Sequence, residues 1–156
     1  MNEKMEELLT HYANDHRHIW NQRIHKIAVP AILVSSVGIF TGLGKFVLPE
    51  IRLLSGGNLQ ILFMLIWYGI LDRRLPRVMA PLLFGAAALV TYLDRHNSEL
   101  LWPLSMGVFV IAWIFQFIGH RIEGNRPALF SGLKYLLVGP MWVMITLRRR
   151  FGDDSI

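Results

Sequence analysis

Six histidines in a chain without cysteine are the residues most able to carry chemistry. Four of them fall in the first 26 residues, in the pattern His11-Tyr12-x3-His16-x-His18-x2-Asn21-x3-His25-x4-Pro30. Asn21 and His25, four apart, share a helix face. His16 and His25, nine apart, would point in nearly opposite directions from one unbroken helix. If both bind one metal, the chain must bend between them, and Asp15 to His18 is the place for it. A second constellation lies near the other end: Trp113, Gln116, His120 and Glu123 recur at helical spacing along one face. Polar side chains emerging from an apolar helix are costly and need an internal reason.

Imidazole suits iron, zinc, copper and nickel, and a carboxylate adds hard-ligand character. His120 and Glu123 are similar to the Glu-x-x-His pairs of carboxylate-iron bundles with the order reversed. Two or three histidines with a glutamate and open positions would suit Fe(II) and dioxygen. Asn21 and Gln116 would then orient the ligands from behind. Without cysteine, disulfides, thiolate nucleophiles and zinc-thiolate sites are excluded. Simpler readings stand beside these. An interfacial histidine is often no more than that, which fits His96 best and His11 and His18 next. Asn21 and Gln116 could serve only as interhelical hydrogen-bond partners, and Glu123 could pair with Arg121 or Arg126. Trp20, Trp67, Trp102, Trp113 and Trp142 read as belt or packing residues.

The elements that must position these residues are apolar. Hydrophobic residues make up 53% of the chain and charged ones 17%, with a mean hydropathy of +0.40. The apolar residues form runs at Ile27–Leu43, Leu59–Leu71, Val78–Leu93 and Leu100–Gly119, and a fifth at Leu129–Leu147 that Lys134 and Gly139-Pro140 interrupt. A spanning helix needs about 20 apolar residues. The first and fourth runs satisfy this; the second and third are short and read as a hairpin joined by residues 72–77. The fifth reads as a kinked span, a re-entrant hairpin or an interfacial helix, because proline breaks the helical ladder. Glu3, Glu6, Leu8, Leu9 and Tyr12 fit a short amphipathic helix. The first 26 residues are polar and lack an apolar core, so no cleavable signal peptide is expected.

The net charge of +5 comes from basic residues flanking the apolar runs, a membrane pattern rather than that of a nucleic-acid binder. With the N-terminus inside and four crossings, thirteen of the sixteen Lys and Arg lie inside, and only Lys45, Arg52 and Arg95 lie outside. The expected fold is therefore an all-α polytopic bundle with four transmembrane helices, an N-terminal interfacial helix and a non-crossing or kinked C-terminal helix. It forms one membrane domain, with residues 1–26 polar, 27–119 spanning, and 120–156 carrying the second motif and last helix. An even number of crossings brings His11, His16, His18, His25 and His120 to the inner interface and leaves His96 outside.

The run Tyr12-x3-His16-x4-Asn21-x3-His25-x4-Pro30 resembles the opening motif of the 2-hydroxy fatty acid dioxygenase family, small membrane proteins that long carried only an unknown-function label. The later run, Trp113 through Gln116, Gly119, His120 and Glu123 to Pro127-Ala-Leu, resembles that family's second signature, with one residue fewer between His120 and Glu123 than in some members. Gly139-Pro140 is similar to its closing Gly-Pro, and Ala28 departs from an expected glycine. The resemblance spans nearly the whole chain. It implies an Fe(II)-dependent enzyme that uses molecular oxygen, without 2-oxoglutarate, to shorten 2-hydroxy fatty acids by one carbon in a bacterial inner membrane or endoplasmic reticulum. His16, His25 and His120 match the motif histidines and are the expected ligands, with His11 and His18 in reserve. Glu123 is expected as a ligand or base, while Tyr12, Asn21 and Gln116 match motif positions. A 2-hydroxy acid can chelate iron through its carboxylate and hydroxyl oxygens, with its tail among the helices and Arg23 or Arg126 holding the carboxylate. A zinc-dependent membrane hydrolase and a non-enzymatic small membrane protein are the competing readings. Chain-length preference and oligomeric state are not legible.

Overall fold

The computed structural model describes residues 3–47, 55–124 and 133–150. Arg52, Arg126 and Pro127, which carry parts of the expectations above, lie outside the described residues. All six elements among the described residues are helices: α1 (Glu3–Asn14), α2 (Ile19–Val47), α3 (Gly56–Leu71), α4 (Leu75–His96), α5 (Ser98–Glu123) and α6 (Leu133–Arg150). In an apolar medium the helix is the element that satisfies its own backbone N–H and C=O groups. The hydroxyls of Ser35, Ser36, Thr41 and Thr146 likewise donate to carbonyls three or four residues earlier in their own helices.

The long helices run antiparallel and alternate between two ends of the bundle. Gly56 abuts the Phe40 carbonyl at one end, where Lys45 bonds both Asp94 and Ser98. At the other end, the Tyr68 hydroxyl donates to the Leu137 carbonyl at 2.8 Å, and α5 returns to lie along α2 over most of its length. The core between these helices is aliphatic and includes Leu33, Val37, Met64, Leu83 and Leu101, with Met141 and Val143 from α6. The outward faces remain apolar: Phe63, Ile70 and Phe84 are exposed, as suits side chains that meet lipid.

α2, α4 and α5 are long and apolar enough to cross a membrane. α3 is apolar but has only 16 residues, roughly 24 Å of helix against the ~30 Å of a hydrocarbon core. Four crossings are therefore not established; among the described residues three helices are both long and apolar enough. The helix boundaries also differ from the apolar runs. α2 begins at Ile19 and α5 ends at Glu123, so His25 and His120 sit inside helices rather than beside them. Helix geometry extends past the apolar stretch where Asn21, His25 and His120 are buried against neighbouring helices. The hairpin link is shorter than expected: α4 starts at Leu75 with Pro76 in its first turn, a position where proline loses no hydrogen bond. Pro140 lies inside a continuous α6.

The close contact of α2 with α3 depends on Gly57. A Cβ there would lie 2.2 Å from Thr41 Oγ1 and 2.7 Å from the Val37 carbonyl oxygen. Gly57→Ala is expected to destabilise the protein by roughly 1–3 kcal/mol through forced separation of the two helices. Gly107→Ala, where a Cβ meets nothing within 4 Å, should be neutral. Thermal inactivation of the two variants in detergent checks the contrast.

Candidate metal centre

The chain does bend between His16 and His25. α1 ends at Asn14, four residues form a link, and α2 starts at Ile19. The link folds His16 back over the start of α2, and α5 brings His120 alongside. The three imidazoles are 2%, 1% and 3% exposed, so the cluster is buried. Their ring centroids lie 4.4 Å (His16–His25), 4.8 Å (His25–His120) and 5.1 Å (His16–His120) apart, with edge-on geometry throughout.

The outer nitrogens orient the rings. His16 Nδ1 lies 2.6 Å from the Tyr12 carbonyl oxygen and His25 Nδ1 lies 2.9 Å from that of Asn21. A carbonyl only accepts, so both Nδ1 atoms must donate, and in neutral imidazoles the Nε2 lone pairs are left free. The lone pairs of His16 and His25 meet, their Nε2 atoms 3.1 Å apart; His120 Nε2 lies 3.2 Å from His25 Nε2, while its own Nδ1 is buried without a hydrogen-bond partner among the described residues. Two facing acceptors repel unless a cation or proton lies between them. One ligand atom from each ring lies within 4.8 Å of the others, which suits a single metal ion. Burial pushes the His16 imidazole below its ordinary range, favouring the neutral, ligating form over a proton.

Glu123 lies outside the three-histidine group and meets N–H donors. Its carboxylate accepts from the backbone N–H of Arg17 at 2.8 Å, from that of His18 at 2.8 and 3.0 Å, and from Asn21 Nδ2 at 3.1 Å. Residues 17, 18 and 21 are the link and first turn of α2, so Glu123 of α5 serves as a cap from another helix for amides that have no partner within α2. Gln22 Nε2 adds a bond to the His16 carbonyl at 2.8 Å, and the Tyr12 ring stacks on His16 at 4.1 Å. The fully buried Asn21 reaches Glu123 because α5 approaches so closely: a Cβ on Gly119 would sit 2.4 Å from Asn21 Oδ1.

Not every expected residue joins the cluster. His11 is exposed and faces Asp15 at 3.5 Å, so the structure does not bring it to the three. His18 is exposed and contributes its backbone N–H. His96 lies at the opposite end, its Nδ1 2.9 Å from the Tyr92 carbonyl oxygen. Arg23 is exposed and lies over the Trp20 ring, away from the cluster, because its position on α2 faces outward. Tyr12 and Gln116 do adjoin the site. With His25 and His120 they line a cavity of about 90 Å³ that continues between the helices past Val29, Leu33 and Met64 to Trp113 and Gln60. Trp113 belongs to the second constellation of the sequence as well as to its belt tryptophans, whereas Gln60 is not among the residues that the motifs single out. A glutamine inside the apolar run Leu59–Leu71 was the available signal.

These features define a helical protein with three membrane-competent helices and a buried three-histidine centre beside an apolar cavity. The chain belongs to the family described as 2-hydroxy-palmitic acid dioxygenase Mpo1-like, whose model matches residues 2–151. It is 32% identical over 145 residues to the Saccharomyces cerevisiae protein named 2-hydroxy-palmitic acid dioxygenase MPO1, covering 88% of this chain and 75% of that one. No solved structure matches.

The cap role makes a specific demand on the link. Glu123→Ala should accelerate amide hydrogen exchange at Arg17 and His18 and cost roughly 0.5–2 kcal/mol. Glu123→Gln, which retains one accepting oxygen, should fall between the variant and the parent. Residue-resolved exchange in detergent reads the series.

Proposed function

We propose that the protein is an Fe(II)-dependent dioxygenase that converts 2-hydroxy fatty acids to acids one carbon shorter, with His16, His25 and His120 holding the iron. The observation that carries this reading is the convergence of three buried Nε2 atoms at one end of an apolar cavity, in a chain of this family. The relative's name supplies the substrate class. Three imidazoles suit iron, and a set of three protein ligands leaves room for others.

Iron, when bound, supplies the activation of dioxygen and a seat for the hydroxyl and carboxylate oxygens of the acid. The chain's own residues do the rest. The Tyr12 and Asn21 carbonyls hold the Nδ1 protons and so aim Nε2 inward. This outer support typically matters 10–100-fold for metal affinity. Glu123 fixes the link that carries His16. Gln116 stands at the cavity mouth beside His120, where its amide can orient the acid head. Val29, Ile32, Leu33 and Met64 offer an apolar bed for the tail and keep bulk water from the reacting carbon. In this reading α3 completes four passes, the N-terminus is cytoplasmic, as the distribution of Lys and Arg favours, and the site faces the inner interface of a bacterial inner membrane or the endoplasmic reticulum.

Purified protein reconstituted with Fe(II) and 2-hydroxypalmitate under oxygen should yield the acid shortened by one carbon, and should not under nitrogen. His120→Ala should abolish metal retention and turnover together. Product formed equally well without oxygen would overturn the assignment, as would turnover that survives His120→Ala.

A further inference from the structure

Several buried polar side chains of this protein are spent on partners within it. Asn21 gives its Nδ2 to Glu123 at 3.1 Å. Gln60 gives its Nε2 to the Ser36 hydroxyl at 2.7 Å, and Tyr68 donates to the Leu137 carbonyl at 2.8 Å. Tyr12 and Gln116 differ from these. They are only 3% and 6% exposed, yet neither the phenol hydroxyl nor the amide has a hydrogen bond among the described residues. Unlike Gln60 Oε1 and Trp113 Nε1, these atoms are not sealed from solvent. Both residues line the cavity beside His25 and His120, which is the space their polar atoms can face.

The fold places both groups at the histidine end of that cavity. The Tyr12 ring stacks on His16 at 4.1 Å and has Trp142 at 5.7 Å, so its direction is fixed. Its hydroxyl passes close to Gly139, where a Cβ would lie 3.1 Å from the oxygen. Gln116 stands one turn before His120 on α5 and shares its face. Among the described residues no Lys or Arg lines the cavity, and Arg23 lies over the Trp20 ring instead. An acid head entering here meets a phenol and an amide, not a side-chain cation.

We propose that these two residues read the head of the acid: the Tyr12 hydroxyl donates to the carboxylate, and Gln116 Oε1 accepts from the 2-hydroxyl. The inference rests on the substrate class proposed above and assigns its head atoms to residues. A carboxylate only accepts, and a phenol O–H is a donor for it. A 2-hydroxyl has a proton to give, and an amide oxygen is an acceptor for it. An acid without the 2-hydroxyl leaves Oε1 covered and unpartnered, which disfavours that acid. Tyr12 favours both kinds of acid alike, because both carry the carboxylate. Gln116 alone of the two distinguishes them.

The test uses full-length Fe(II)-loaded protein under nitrogen, where oxygen-dependent turnover is absent. Binding of 2-hydroxypalmitate and of palmitate is followed by displacement of a fluorescent fatty acid, and iron per chain is measured on the same preparations. Gln116→Leu should weaken 2-hydroxypalmitate by roughly 10-fold and leave palmitate unchanged. Tyr12→Phe, which keeps the stacked ring, should weaken both acids by a similar factor, again roughly 10-fold. Iron content should match the parent in both variants. Gln116→Met, which removes the amide at similar volume, provides the same reading if leucine disturbs folding. Equal losses for the two acids in the Gln116 variants, or undiminished binding in Tyr12→Phe, would overturn the proposal. If the binding pattern is as stated but 2-hydroxypalmitate is never converted under oxygen, the assigned reaction fails and the head reading stands. If conversion is intact and both variants bind as the parent does, the head reading fails alone.

Discussion

Two imidazole lone pairs facing each other at 3.1 Å inside an apolar bundle are repulsive unless something positive lies between them. Much of this molecule is arranged to hold that unfavourable contact. The Nδ1 atoms of His16 and His25 donate to the Tyr12 and Asn21 carbonyls, so either ring gives up a buried hydrogen bond if it turns its hydrogen inward, a loss of about 0.5–1.5 kcal/mol. Burial disfavours a proton as the neutralising charge. What is left is a group of three imidazoles that could hold a metal ion, two of them, His16 and His25, oriented in advance by backbone carbonyls.

Bringing the three rings together requires residues 95 positions apart to meet, and two devices achieve it. One is the antiparallel alternation of α2 to α5, which returns the end of α5 to the start of α2. The other is the Glu123 carboxylate, which grips the amides of the link in front of α2. The link carries His16, so the residue that ends α5 fixes the ligand contributed from before α2. The same helix thereby holds one histidine directly and a second at one remove. The close approach at Gly119 makes this geometry possible.

Much of this was legible in the residues. The nine-residue spacing of His16 and His25 demanded a bend, and the only segment short and polar enough to supply it is where the helix breaks. The i, i+3 and i+4 spacing of Gln116, His120 and Glu123 placed them on one face, and they share it. Other features were hidden because they depend on partners across the bundle. Nothing in the local sequence tells that a glutamate after a histidine meets three N–H donors from the link and first turn of another helix. Arg23 could be placed near the site but not on a face. The length of α3 exposed the weak step in counting crossings from apolar runs, since helices here outgrow those runs at both ends while α3 does not reach span length. Gln60 stood out only once Ser36 was seen to use one side of its amide.

The central claim is that three imidazoles, without the glutamate, hold one ion. X-ray absorption at the iron edge of Fe(II)-loaded protein tests it most directly. The account predicts one iron per chain with scattering from three imidazoles, falling to two in His16→Ala and remaining at three in Glu123→Gln. A shell that keeps its imidazole count in His16→Ala, or loses a ligand in Glu123→Gln, would contradict it.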